Sequence, residues 1–143
     1  MPRGFLLHGP PGCGKTTLVR AAAGESEMTF LAVSGAELYS CYLGEAESFL
    51  RQAFEAARRS APSLLFIDEL DAIVGRRDMS MQDGNGVRQR VLSALLTEMD
   101  GVVEASGVLV VGATNRPDML DAALLRPGRF DEIIEIRPPH RQD

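Results

Sequence analysis

Tryptophan is absent from the 143 residues and aromatic residues make up only 6%, so any core must be mainly aliphatic. Cysteine is nearly absent as well. Cys13 and Cys41 lie far apart and form no CxxC pair, which argues against both a disulfide framework and a zinc site. No apolar run approaches the roughly 18 residues of a membrane span. Nor does the opening Met1-Pro2-Arg3-Gly4 lead into a signal-peptide apolar region with a cleavage site. Positive charge is in deficit: 15 Lys+Arg face 20 Asp+Glu, and the net charge of −5 argues against a generic nucleic-acid surface. Lysine is nearly absent too. Among the 15 basic residues only Lys15 is one. A GC-rich coding sequence accounts for the general preference for arginine, but not for the position of the single lysine, between Gly14 and Thr16.

What is present is ordinary for a globular domain. Hydrophobic residues are 45% and charged residues 24%, and the length suits one domain with one sizeable core. The expectation is a soluble intracellular domain, cytoplasmic or nuclear, without a membrane partner.

Hydrophobic patterning places the elements. The apolar run Gly4–His8 ends in a Gly/Pro cluster and reads as a buried strand. Residues 15–23 are good helix formers, with Gly24 as the stop. Thr29–Ser34 is β-branched and aromatic, bounded by Gly35, and reads as a second strand. Across 45–59, Ala46, Phe49, Leu50, Ala53, Phe54 and Ala57 recur at helical spacing, and Pro62 closes that segment. Residues 64–67 form the third strand and run into Asp68-Glu69. The span 76–86 has no periodicity and reads as a loop; helical spacing resumes over 87–99. The continuous apolar run 107–113 is the fourth strand, and 131–136 a shorter fifth. Alternation of strands and helices implies a parallel sheet covered on both faces, with ligands beyond the carboxyl ends of the strands.

Three strand ends carry chemistry. After the first comes Gly9-Pro10-Pro11-Gly12-Cys13-Gly14-Lys15-Thr16, followed by Thr17, a full match to G-x-x-x-x-G-K-[ST]. Its glycines let backbone N–H groups face phosphate oxygens, and the helix that begins at Lys15 adds its positive end. Lys15 supplies a compact charge for the β- and γ-phosphates of a nucleotide, and Thr16 a hydroxyl ligand for Mg²⁺. The competing reading is a Gly/Pro turn before an ordinary helix. After the third strand, Asp68 and Glu69 place two carboxylates at the mouth of a buried strand, which is costly without a cation nearby. Asp68 suits the metal shell and Glu69 the polarisation of attacking water, while a helix cap is the alternative role. After the fourth strand, Asn115 can orient water or touch the γ-phosphate, or simply serve a turn before Pro117. Arg126 and Arg129 flank a Pro-Gly turn. They are either solvated surface charges or arginine fingers acting on nucleotide held by a neighbouring subunit.

GPPGCGKTT, LLFIDELDAI, LLTEMDG and GATNRPDMLDAALLRPGRFD together resemble the AAA family of ring ATPases over nearly the whole chain. Within it, GPPGCGKTTLVRA and VSGAEL look most like the spermatogenesis-associated-5-like members, near valosin-containing protein. The resemblance implies a three-layer α/β P-loop NTPase core with a five-stranded parallel sheet. It also implies ATP and Mg²⁺ as ligands, and a homo- or hetero-hexamer with nucleotide sites between subunits. It assigns the sensor role to Asn115 and finger roles to Arg126 and Arg129. It gives Tyr42-Leu43-Gly44 the role of a pore loop that grips a threaded protein substrate, against the alternative that Tyr42 packs on its own domain. Cys41 departs from the basic residue often found before that aromatic. The family's adenine-packing segment and helical lid have no counterpart in residues 1–143, which therefore read as the AAA α/β core alone, either a fragment or a truncated product. A nucleotide-binding chain without effective turnover is the alternative function.

Overall fold

The computed structural model describes residues 4–10, 14–40, 43–74, 87–102, 107–120, 122–126 and 129–137. Pro11, Gly12, Cys13, Cys41, Tyr42 and the loop 76–86 lie outside them. The chain runs β1 (Gly4–His8), α1 (Lys15–Glu25), β2 (Thr29–Ser34), α2 (Gly35–Ser40), α3 (Leu43–Arg59), β3 (Ser63–Asp68), α4 (Asp71–Val74), α5 (Val87–Asp100), β4 (Val108–Thr114) and β5 (Phe130–Glu135). Two short 3-10 turns, Pro117–Met119 and Ala122–Leu125, lie between the last two strands.

The five strands form one sheet in the order β2-β3-β4-β1-β5, and every pairing is parallel. This is the expected α/β architecture. Side chains on a strand alternate between faces, and β3 shows it: Leu65 and Ile67 join one apolar cluster, Leu64 and Phe66 the other. The larger cluster packs Leu6, Val33 and Val110 against Leu50 and Phe54 of α3 and Val91, Leu95 and Met99 of α5. The smaller packs Leu7, Val111 and Ala113 against Val19 and Ala23 of α1. Three layers result, with β3 and its neighbours covered on both sides.

Two helices depart from the sequence reading. Gly24 does not stop α1, which continues to Glu25. The stop is a Schellman closure: Met28 N–H donates to Ala23 O at 2.8 Å and Glu27 N–H to Gly24 O at 3.1 Å. Glu27 itself takes the left-handed conformation, at φ 57°. On α3, Ala46, Leu50, Phe54 and Ala57 are buried, whereas Phe49 is 48% exposed. Phe49 shares the helical spacing but sits on the flank of the buried stripe.

Candidate nucleotide cleft

In-register pairing aligns the ends of the three central strands. His8 lies opposite Thr114, Leu7 opposite Ala113, and Ile67 opposite Gly112. The residues that follow each strand thus share one rim: Gly9 after β1, Asn115 after β4, Glu69 after β3. Two cross-links tie the rim together, Gly9 N–H to Thr114 O at 3.3 Å and Leu70 N–H to Ala113 O at 2.9 Å. A cleft of about 280 Å³ opens there, lined by Gly14, Lys15, Thr16, Thr17, Asp68, Glu69, Thr114 and Asn115.

Gly14 caps α1 with φ 79°, the left-handed region where glycine carries no side-chain penalty. Lys15 follows as the first helical residue and is buried. A buried ammonium must have acceptors. Its Nζ donates to Gly9 O at 3.0 Å, Pro10 O at 3.2 Å and Asn115 Oδ1 at 3.1 Å. Lysine can only donate, so the amide end facing it is the carbonyl oxygen and the NH₂ is the end that can serve another acceptor. Sequence reasoning named Lys15 and Asn115 separately; the fold joins them across 100 positions.

Thr16 Oγ1 stands 3.5 Å from Asp68 Oδ2, and Asp68 Oδ1 accepts the Glu69 N–H at 2.8 Å. Glu69 has φ 52°, an uncommon conformation for a residue with a Cβ. That bend turns the chain out of β3 and leaves the Glu69 side chain exposed at the cleft. Its Oε1 accepts the Ser34 hydroxyl at 3.2 Å, and Ser34 Oγ in turn accepts the Glu37 N–H at 3.5 Å. Gly35 is required beside it, because a Cβ there would collide with the Glu69 carbonyl.

A divalent cation fits this donor set. Thr16 and Asp68 offer hard oxygens of the kind Mg²⁺ prefers. Among the described residues, no group of three or more His, Cys, Asp or Glu side chains could hold a metal unaided. The described lining carries one cation, Lys15, against the carboxylates of Asp68 and Glu69. A polyphosphate is therefore better accommodated when it brings its own cation.

Arg126 and Arg129 are not at this cleft. Phe130, which opens β5, pairs with Gly4 at the start of β1. The two arginines thus precede the amino-terminal edge of the sheet, and the length of β1 alone, roughly 16 Å, separates that edge from the rim. Arg126 is exposed. The Arg129 guanidinium donates to Asp100 Oδ1 at 3.2 Å, Asp100 Oδ2 at 3.0 Å and Ala123 O at 3.1 Å. The hydrogen bond to Asp100 holds the Arg129 pKa above its ordinary value; desolvation opposes it and the Asp100 charge adds to it. Leu43 and Gly44 open α3, immediately after residues outside the described set. Sequence reasoning missed Ser34, Asp71 and Thr114. Of these, Thr114 donates to Asp71 Oδ1 at 2.6 Å.

A family profile described as ATPase family associated with various cellular activities (AAA) matches residues 5–138. The chain is 54% identical over 138 residues to cell division control protein 48 homolog B of Arabidopsis thaliana, covering 96% of this chain and 23% of that protein. It is 50% identical over 142 residues to ribosome biogenesis ATPase RIX7 of Saccharomyces cerevisiae, covering 99% and 17%. ATP-dependent zinc metalloprotease FtsH 3 of Phytoplasma mali is 52% identical over 139 residues, with 97% and 23% covered. The chain thus spans about a fifth of the length of these relatives. No helix among the described residues is long and apolar enough to cross a membrane.

Proposed function

The chain belongs to the AAA family of ATPases, and from that premise we propose that its cleft binds Mg·ATP and hydrolyses it within a ring of subunits that remodels a protein substrate. The observation that carries this reading is the convergence of Lys15, Asn115, Thr16, Asp68 and Glu69 on one cleft from three separate strand ends. Lys15 trades contacts with loop carbonyls for the β- and γ-phosphates, while Asn115 remains beside it to sense the third phosphate. In the loop opened by Gly9, Pro10 and Pro11, the backbone N–H groups of Gly12, Cys13 and Gly14, together with Thr16 and Thr17, follow the phosphate chain, the two prolines having no N–H to offer. Thr16 and Asp68 would hold Mg²⁺, which would neutralise charge on the phosphate oxygens. Glu69 polarises the attacking water.

Arg126 and Arg129 cannot serve their own cleft from the far edge of the sheet, so their finger role is one played on the next subunit's nucleotide. For Arg129 that means giving up Asp100. Tyr42, with Leu43 and Gly44 at the start of α3, grips the substrate chain. A single copy binds nucleotide but turns it over poorly, because fingers supply about a thousandfold or more in rate.

The test is a pair of variants. Lys15→Ala abolishes binding of a fluorescent ATP analogue. Glu69→Gln retains binding and lowers hydrolysis, under conditions where copies associate, by at least about a hundredfold. Equal affinity for wild type and Lys15→Ala would sink the reading.

A further inference from the structure

Asn115 is an exposed residue in the turn after β4, and a short amide in such a place has several directions open to it. Its neighbour is differently placed. Thr114 is 1% exposed. Its Oγ1 donates to Asp71 Oδ1 at 2.6 Å and accepts the Arg116 N–H at 3.0 Å. An ionised carboxylate cannot donate, so the single hydroxyl proton lies on the Asp71 side and a lone pair is turned to Arg116. The bridge from the Thr114 hydroxyl to the N–H two residues on closes a tight turn with Asn115 at its centre. The Thr114 carbonyl is fixed as well, by the Gly9 N–H. Asp71 stands in the first turn of α4, three residues after Asp68, so the carboxylate that sets this turn is carried by the segment that also carries Glu69.

We propose that Asp71 and Thr114 are positioning residues for recognition of the third phosphate. Asp71 orients the Thr114 hydroxyl, and that hydroxyl sets the turn. The turn keeps Asn115 Oδ1 on Lys15, so the amide NH₂ is the end presented to a γ-phosphate oxygen. Neither residue touches nucleotide; both act through Asn115. The inference rests on reading the cleft as a nucleotide site.

Calorimetric titration of the 143-residue chain with Mg·ATPγS and with Mg·ADP measures the preference for a third phosphate. Wild type favours ATPγS by roughly tenfold, the size of one charge-assisted hydrogen bond. Asn115→Ala lowers the ratio severalfold, leaving the part owed to Lys15. Thr114→Val, which keeps the shape and loses the hydroxyl, brings it to the same place, as does Asp71→Ala. Thr114→Ser and Asp71→Asn, which keep a donor and an acceptor, restore the preference. The double variant Thr114→Val/Asn115→Ala is no worse than Asn115→Ala alone, because both changes remove the same contact. A purely structural role would instead lower affinity for both nucleotides alike and leave the ratio intact, and that result overturns the proposal. So does a double variant whose ratio falls well below that of either single one. If Thr114→Val does not fold, the comparison of Asp71→Ala with Asp71→Asn decides by the same ratio. Wild type that binds neither nucleotide refutes the reading of the cleft itself. A wild type that discriminates through Asn115 but is indifferent to Thr114 and Asp71 refutes only this inference.

Discussion

Gly35→Ala sets two effects of opposite sign against each other. Gly35 is the first residue of α2, and replacing glycine by alanine in a helix stabilises by roughly 0.5–1 kcal/mol through backbone entropy and propensity. Against that, the new methyl would meet the Glu69 carbonyl oxygen inside contact distance, with Glu69 C at 3.0 Å and Asp68 O at 3.1 Å behind it. All three neighbours are backbone, so none can swing aside as a side chain would. The end of β3 or the start of α2 has to move by on the order of 1 Å, a rearrangement in the range of 1–3 kcal/mol for an overpacked site. The clash wins. Net of the helix gain, at most about 2.5 kcal/mol is lost, and the midpoint of thermal unfolding, followed by far-ultraviolet circular dichroism, falls by up to roughly 8 °C. Gly35→Ser behaves alike, since its Cβ occupies the same point. A midpoint that rises in Gly35→Ala, as helix propensity alone demands, refutes the reasoning.

The two arginines separate by stability as well as by function. Arg129→Ala loses bonds to Asp100 and Ala123 and costs about 1 kcal/mol after allowance for the solvent exposure of Asp100, whereas Arg126→Ala stays within about 0.5 kcal/mol of wild type in urea unfolding. In associated copies, mixing Arg126→Ala with Lys15→Ala restores part of the turnover; absence of rescue at every ratio places the arginine's action within one subunit. Phe54→Ala empties a fully buried site between α3 and the sheet and costs about 3–5 kcal/mol, read as a large drop in urea midpoint; a change under about 1 kcal/mol contradicts the packing described.

Strands were the most legible part of the sequence. Gly4–His8 and Thr29–Ser34 are each an apolar or β-branched run between Gly or Pro signals, and both bounds coincide with the strands observed. Helix ends were less so, because a C-terminal closure depends on which residue adopts positive φ, and at α1 that residue is Glu27 rather than the available Gly24. The helices α2 and α4, of 6 and 4 residues, are too short to show a period. At the cleft, the residues on the phosphate loop and at the ends of β3 and β4 could be named because each lies within a local motif. Ser34, Asp71 and Thr114 could not. Their partners are 35 and 43 positions away, and only the lateral order of the strands brings them within reach.

That order has a consequence for how the molecule comes into being. Of these five strands β1 is made before the others, yet its two neighbours in the sheet are β4 and β5, made after β2 and β3. A nascent chain that has emerged only as far as α5 contains the entire loop from Gly9 to Thr16 and already pairs β2 with β3, but β1 has nothing to lie against. The ammonium of Lys15 has no Asn115, and the rim is missing its middle. The strand that joins β3 to β1 is β4, which also completes the site; it inserts between two strands rather than adding to an edge, the kind of long-range closure that folds slowly. Any product ending before residue 108 therefore carries the loop sequence of residues 9–16 without the Thr114 and Asn115 side of the cleft.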